Sequence, residues 1–216
     1  MRLIDRLLQR WRGSVARRWV PTGTRVLDVG CHRGEFLRRL GYRLGAGVGF
    51  DPAAPASAGP RLELVADQFP PGVPLPHGSF DVVVMLATLE HLRNKDEVAR
   101  ECHRVLRPGG RLVVTVPSRL VDPIIFLLMR LGLADGMSLD EHHGFDPAET
   151  RRVFARPGFR LERWETFQLG LNHLFVFVKP AGCGRAGSRE PACCEHAPRG
   201  GDPHDGHGKH ARPAGG

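Results

Sequence analysis

In RVLDVGCHRGEF, Arg25 to Phe36, an apolar run carries one acid, Asp28, breaks at Gly30 and again at Gly34, and continues into residues with helical spacing. This is the pattern of a buried strand, a tight turn and a helix. In an open parallel sheet, ligands sit beyond the carboxyl ends of the strands, where the chain order reverses. Glycine at position 30 lets the backbone turn sharply and lets a ligand approach without meeting a β-carbon. The helix that starts near Gly34 turns its free N–H groups to the same crevice. A carboxylate at Asp28 is costly to bury unless it meets donors or a positive group. It suits an ammonium or other positive centre better than a pyrophosphate.

Working outward, strands and helices alternate. AGVGFD (46–51), LELVAD (62–67), FDVVVML (80–86) and RLVVTVP (111–117) read as strands. The third of these has the unbroken apolar character of a strand covered on both faces. EFLRRLGYRL places Phe36, Leu37, Leu40 and Leu44 at helical spacing. KDEVARECHRVLRPGG is a helix closed by Pro108, Gly109 and Gly110. DPAETRRVFARPGF is a helix started by Asp146 and Pro147 and stopped by Pro157 and Gly158. RLERWETF and HLFVFVKP close the set, and the QLGLN between them is too short for a parallel crossover, so one edge strand is expected to be antiparallel. The expected fold is α/β: a doubly wound, mostly parallel sheet with helices on both faces.

Three segments flank or interrupt this domain. Residues 3–19 put Ile4, Leu7, Leu8, Trp11, Val15 and Trp19 on one helical face, so 1–22 reads as an amphipathic helix. Residues 1–25 hold seven arginines against one acid, a net +6 out of the +8 of the 216-residue chain. A basic segment of this kind favours phosphate or anionic lipid, and it is equally the pattern of a solvated helix face. Residues 119–137 form an apolar helical insertion, read as a lid over the substrate or a second contact with a membrane surface. From 181 to 216 large apolar residues are almost absent, which predicts a disordered tail. Its Cys193, Cys194, His196, His204, His207 and His210 show no metal-ligand spacing. The domain itself spans 23–180. The longest apolar run, IIFLLM, is too short to cross a bilayer, and the N-terminus has no apolar signal core. With five cysteines and no pairing pattern, these features predict reduced thiols and a cytoplasmic protein.

The second and third strands repeat the first strand's logic. Asp51 stands where a carboxylate accepts from ribose hydroxyls. Asp67 is placed to accept from an exocyclic amine, with Gln68 and Phe69 beside it and an aromatic available to stack on a base. Three successive strand ends with one acid each describe a nucleoside pocket that makes no demand for phosphate.

The segments VLDVGCHRGEF, GVGFD, VADQFPPGVPLPHGSFDVVVMLATLEHL, VLRPGGRLVVTVP and HHGFDPAETRRVFARPGF, in this order, resemble the class I S-adenosylmethionine-dependent methyltransferases that modify small molecules. With the final strands the resemblance covers Arg25 to Pro180. It implies a Rossmann-like sheet of seven strands with the seventh antiparallel, and S-adenosyl-L-methionine as cofactor. It also implies that Asp28, Gly30, Cys31, His32 and Gly34 frame the cofactor's methionine end, and that Asp51 takes the ribose hydroxyls. Asp67 then approaches the adenine amine, Gln68 or Phe69 flanks the base, and Leu86 lines the floor towards the acceptor. Two departures stand out. His32 occupies the position of the family's middle glycine, which predicts weaker cofactor binding. Only Pro52 to Pro60, with three prolines, separate Asp51 from the third strand, so the helix usual there should be nearly absent.

The resemblance implies methyl transfer to a small-molecule, glycan or lipid-linked acceptor, at oxygen. A hydroxyl nucleophile needs a base. His91, in TLEHL, is the first candidate, with a helix-capping or packing histidine as the plain alternative. His142 and His143, in DEHHGF, precede a helix expected on the substrate side and are candidates on the same terms. Glu90 is placed to orient His91 or the cofactor's ammonium. No metal site is expected, because no carboxylate cluster sits at the substrate mouth. Three rivals differ in class. A nicotinamide oxidoreductase lacks its fingerprint here, since Cys31, His32 and Arg33 fill the gap before Gly34. A nucleic-acid methyltransferase acting on base amines would carry an Asn or Asp, two prolines and an aromatic after the fourth strand, where this chain has MLATLEHL. A cofactor-binding regulatory protein with weak or no catalysis would have His32 as its lesion. Neither the oligomeric state nor the acceptor's identity is written in these motifs.

Overall fold

A computed structural model describes residues 3–72, 75–118 and 146–181, which fall in one compact unit, Met1–Gly182. The insertion at 119–137, His142, His143 and nearly all of the 181–216 tail lie outside the described residues.

The centre of the sheet is β1 (Thr24–Val29), paired in parallel with β2 (Leu44–Phe50) on one side and β5 (Phe80–Leu86) on the other. Its register sets Leu27 between Val48 and Val83, and Asp28 between Gly49 and Val84. β3 (Ser57–Ala58), β4 (Leu62–Val65), β6 (Leu106–Pro117), β7 (Arg160–Phe167) and β8 (Asn172–Val178) complete an eight-stranded sheet in the order β3-β4-β2-β1-β5-β6-β8-β7. The chain moves outward from β1 to β2 and then returns to its other side with β5. That reversal places the ligand crevice at the carboxyl end of β1.

Alternate residues of each strand serve opposite faces, because the side-chain period of a strand is two. Val26, Val82, Val84, Val113, Leu174 and Val176 pack under α1 (Leu3–Arg17) and α2 (Glu35–Leu40). Leu27, Val83, Met85, Val114, Phe175 and Phe177 pack under α3 (Lys95–Val105) and α4 (Pro147–Ala155). Both faces are covered, which is why these strands read as apolar runs. α3 buries Val98, Ala99, Cys102 and Val105, the stripe its spacing calls for. Asp146 caps α4, its Oδ1 accepting from the Ala148 N–H at 3.0 Å with Pro147 in the first turn. The C-terminal end of α3 is closed from a distance. Lys179 Nζ donates to the carbonyls of His103 and Leu106, both at 2.7 Å.

The sheet differs from expectation in three details. The proline-rich stretch after Asp51 forms no helix, as anticipated, but contributes the two-residue strand β3, antiparallel to β4 at one edge. β8 is antiparallel to both neighbours, yet it lies between β6 and β7 rather than at the edge. β7 therefore runs parallel to β6, and its carboxyl end shares the edge that carries the ligand crevice. β6 begins at Leu106, and its register jumps between Phe80–Leu106 and Val82–Arg111, so Pro108, Gly109 and Gly110 form an irregularity inside the strand.

α1 uses its faces differently from the apolar stripe expected of it. Val15 and Ala16 are buried, as is Val20 just beyond the helix, whereas Leu7, Leu8 and Trp11 are exposed. The side turned to the domain at this level carries Gln9, Arg12 and Gly13. Among the described residues no helix is long and apolar enough to cross a membrane.

Candidate active site

A cavity of 990 Å³ opens at the carboxyl ends of β1, β2, β4 and β5. It has the size of a small-molecule or cofactor site. Asp28, Gly30, Cys31, His32, Asp51, Asp67, Gln68, Phe69, Leu86 and His91 all line it. The structure thus brings together every described residue assigned to the cofactor or to catalysis except Gly34, which sits behind the turn against Leu64. A second hollow of 490 Å³, beside Arg151 and Arg152, shares no lining residue with it.

The turn after β1 is built by backbone bonds and by one carboxylate. The N–H groups of Gly30 and Cys31 both donate to the Phe50 carbonyl, at 2.8 and 3.2 Å. Asp51 Oδ2 accepts from the His32 N–H at 2.9 Å, and Oδ1 from the Ala53 N–H at 2.8 Å. Each carboxylate oxygen has a second lone pair, so Asp51 holds the turn and still faces the cavity with acceptor capacity. Gly30 has φ +78°, and a β-carbon there would lie 2.2 Å from Thr88 Oγ1. The close approach that demands glycine is thus to a side chain of the β5 loop rather than to open ligand space. Gly34 has φ +72°, and a β-carbon there would meet Leu64 Cδ2 at 2.8 Å. α2 has only six residues, and the Arg33 N–H ahead of it already donates to Glu35 Oε2 at 3.2 Å. A free helix N-terminus is therefore not what this site offers.

His32 has φ +49°. It keeps the left-handed backbone that a glycine would adopt, and its exposed side chain lies with Nδ1 3.5 Å from Glu35 Oε1. The side chain rims the cavity without filling it. Left-handed backbone costs a β-carbon-bearing residue about 1–2 kcal/mol. His32→Gly is therefore expected to stabilise the protein by about 1 kcal/mol after the added freedom of the unfolded chain is deducted, read as a higher midpoint in thermal unfolding.

Asp28 is 2% exposed. Burial, with smaller contributions from Asp51 and Glu35, pushes its carboxyl up to about 8. The site thus holds a carboxyl short of positive charge, which is the deficit an ammonium fills. Cys31 is buried, and its thiol is pushed up to about 12, first by burial and then by Asp28 and Asp51. It packs against Gly49 and stays a neutral thiol. Asp67 is exposed and its Oδ1 accepts from the Gln68 N–H at 2.7 Å. Phe69 is buried with its ring 5.8 Å from that of Phe50, so the two phenyl groups form one apolar wall. Leu86 ends β5. His91 ends a 3₁₀ turn, Leu89–His91, and is exposed at the cavity rim.

Several lining residues were not singled out from the sequence. Gln9, Arg12 and Gly13 come from α1, Glu35 and Phe36 from α2, and Thr88 from the loop after β5. Arg12 faces Glu90. Burial pushes the guanidinium down and the Glu90 carboxylate opposes this, while burial pushes Glu90 up to about 7 against the pull of Arg12 and Lys95. Arg12 Nε and Glu90 Oε2 are buried without a hydrogen-bond partner among the described residues. Gly13 gives no sequence signal of this arrangement, since a β-carbon there would lie 3.5 Å from Phe36 Cδ2, an ordinary contact distance. Taken together, a buried carboxyl lacking a cation, an acid with spare acceptor capacity and an unpartnered guanidinium atom fit an amino-acid-bearing nucleoside.

This arrangement of an open α/β sheet with an acid at each of three strand ends defines a class of nucleoside-cofactor enzymes. A family model for a methyltransferase domain matches residues 2–163. The chain belongs to the class I S-adenosylmethionine-dependent methyltransferases, whose cofactor is S-adenosyl-L-methionine. A Mycolicibacterium smegmatis protein named "Probable S-adenosylmethionine-dependent methyltransferase" is 32% identical over 151 residues, 63% of this chain and 57% of that protein. A Xanthomonas axonopodis protein named ubiquinone biosynthesis O-methyltransferase is 31% identical over 164 residues, covering 68% of this chain and 67% of its own length. The chain spans about half to two thirds of the length of curated relatives such as these. The solved structure of an S-adenosylmethionine-dependent methyltransferase from Mesorhizobium loti shares the fold with a TM-score of 0.59 at 17% identity, covering 76% of this chain and 96% of that one.

Proposed function

We propose that this protein transfers a methyl group from S-adenosyl-L-methionine to an oxygen of a small-molecule, glycan or lipid-linked acceptor. The observation that carries the reading is the convergence of Asp28, Asp51 and Asp67 on one cavity with His91 at its rim. The relative named for O-methylation in ubiquinone biosynthesis supports oxygen as the target.

When bound, the cofactor supplies a methyl group already activated by its positive sulfur. The protein's task is alignment and exclusion of water, and alignment of this kind is worth roughly 7–11 kcal/mol in favourable cases. In this reading Asp28 ionises against the ammonium of the methionine end, and Arg12 faces its carboxylate. Asp51 accepts from the ribose hydroxyls through the lone pairs its backbone bonds leave. Asp67 and Gln68 meet the polar edge of the adenine, while Phe50 and Phe69 give the base an apolar wall. Leu86 floors the passage to the acceptor. His91 takes the proton of an acceptor hydroxyl, the general-base role that histidine fills most often.

Thermal unfolding with and without S-adenosylhomocysteine tests the site. At a hundredfold excess over Kd, a ligand specific for the folded state adds about 2.7 kcal/mol. For a chain of this size that is roughly 5–10 °C. Asp51→Ala is expected to abolish this increment. Its own melting point will drop, because two backbone N–H groups lose their acceptor, so the readout is the difference made by the ligand. An unchanged ligand shift in the variant would remove Asp51 from the cofactor site, and no shift in the wild type would remove the cofactor from the reading.

A further inference from the structure

We propose that the outward face of α1, together with the turn at Leu169, is a docking surface for an anionic lipid bilayer. Leu7 is 53% exposed, Leu8 38%, Trp11 48% and Leu169 94%. These side chains belong to two elements far apart in sequence that the structure fastens together. Buried Gln168 donates through Nε2 to the Leu8 carbonyl at 2.8 Å and accepts from Asn172 Nδ2 at 2.5 Å. The turn is therefore set against α1 rather than swinging free. Gln168, Leu169 and Gly170 have φ of +53°, +58° and +83°. A leucine held in left-handed backbone costs about 1–2 kcal/mol. Here that cost presents an apolar side chain outward, where no packing within the described residues uses it.

Charge selects the occupant. Arg6 and Arg10 are exposed, lie four residues apart and so form a basic ridge beside Leu7 and Trp11. Arg18, just past the end of α1, is also exposed and paired with Glu165. Residues 1–25 carry seven arginines and one acid. A helix with tryptophan and leucine on one strip and arginines along its border lies in the headgroup region of a bilayer, the apolar groups below the phosphates and the guanidiniums among them. A nucleic acid would satisfy the arginines but leave three leucines without a partner. A second copy of the chain, docked by the same face about a two-fold axis, would bury the leucines but bring Arg6 and Arg10 towards their own counterparts.

The position of the patch gives docking a consequence. The turn at Leu169 ends β7, which is parallel to β6, so it stands on the sheet edge that carries the cavity. On the opposite side of the same helix, Gln9, Arg12 and Gly13 line that cavity. A bilayer seated on α1 therefore lies beside the cavity. On the methyl-transfer reading, a lipid-embedded acceptor would reach it without leaving the membrane.

Co-sedimentation of the full chain with vesicles tests this. Vesicles of equal parts phosphatidylglycerol and phosphatidylcholine are expected to pellet the protein at low salt, with a blue shift of its tryptophan emission. Pure phosphatidylcholine vesicles, or high salt, should bind it at least tenfold more weakly. Leu169→Gly relieves the strained backbone and lies outside the helix, so it preserves the fold while weakening partition. Trp11→Ser combined with Leu169→Gly should reduce partition by tenfold or more, and Arg6→Glu with Arg10→Glu should remove the preference for anionic lipid. Each variant's melting point and its shift with S-adenosylhomocysteine serve as the check of folding. Equal partition of the folded Trp11→Ser/Leu169→Gly variant would overturn the proposal. So would failure of the wild type to bind anionic vesicles, a concentration-dependent dimer abolished by the same variants, or lipid-independent capture of single-stranded nucleic acid by this face.

Discussion

Asp28→Asn is expected to flatten the pH dependence of the free protein's stability. The carboxyl stands near 8 in the folded chain, against about 4 in an unfolded one. Between these values the folded state holds a proton that the unfolded state has lost, so unfolding releases it. Stability is therefore greatest at or below the unfolded value and declines as pH rises, by up to about 1.4 kcal/mol per unit, until the folded carboxyl itself ionises near 8. From pH 5 to pH 7 the loss attributable to Asp28 is roughly 2–3 kcal/mol, or about 5–10 °C in melting point. Asparagine has nothing to titrate. Glu90, pushed up to about 7 by burial, acts in the same direction in both proteins, so the difference between the two pH profiles isolates Asp28. With S-adenosylhomocysteine present, the wild type should regain stability at pH 7, because an ammonium compensates the ionised carboxylate. The variant should show little ligand shift at any pH. Parallel profiles for the two proteins would mean that Asp28 is not the buried acid that ties pH to the cofactor site.

The second large effect belongs to Gly30→Ala. Two costs add at this position. At φ +78° any β-carbon is strained, and the carbon would lie 2.2 Å from Thr88 Oγ1, 2.4 Å from Cγ2 and 2.9 Å from Cβ. The first is worth about 1–2 kcal/mol and the second about 1–3 kcal/mol. Together they should lower the melting point by roughly 10 °C and pull Thr88, Ala87 and the His91 turn away from the cavity. Thr88→Gly placed on top removes the overlap but leaves the backbone strain, so the double variant should recover about half of the loss. A Gly30→Ala protein that melts with the wild type would show that the β1 turn and the β5 loop are not in the contact described. The test needs only purified protein and a thermal scan.

Much of the fold could be read because burial writes itself into composition. Strands covered on both faces carry unbroken apolar runs, and FDVVVML coincides with β5 residue for residue; the mostly exposed edge strand β7 coincides with RLERWETF, which carries no such run. The acid near the end of β1 and the acids that follow β2 and β4 stand out against those runs, and the cavity collects all three. What escaped the sequence depends on contacts between distant residues. The need for glycine at position 30 comes from Thr88, fifty-eight residues on, and no local pattern encodes that meeting. Periodicity shows that α1 has an apolar stripe, but it does not say that the stripe's first half faces outward while Arg12 turns inward. An arginine between two apolar positions looks solvated until the Glu90 opposite it is seen. The place of β8 inside the sheet was hidden for a similar reason, since a short hairpin fixes that β7 and β8 are neighbours but not which of them meets β6.

The lysine after β8 ties these distant parts into one. A helix ends with carbonyls that lack partners, and at α3 two of them receive the ammonium of Lys179, whose burial also lowers its pKa. The donor arrives from the far end of the domain, after every strand of the sheet has been laid down. The ends of α3 and of the sheet are therefore coupled: fraying of the chain after β8 would leave the carbonyls of His103 and Leu106 without this donor.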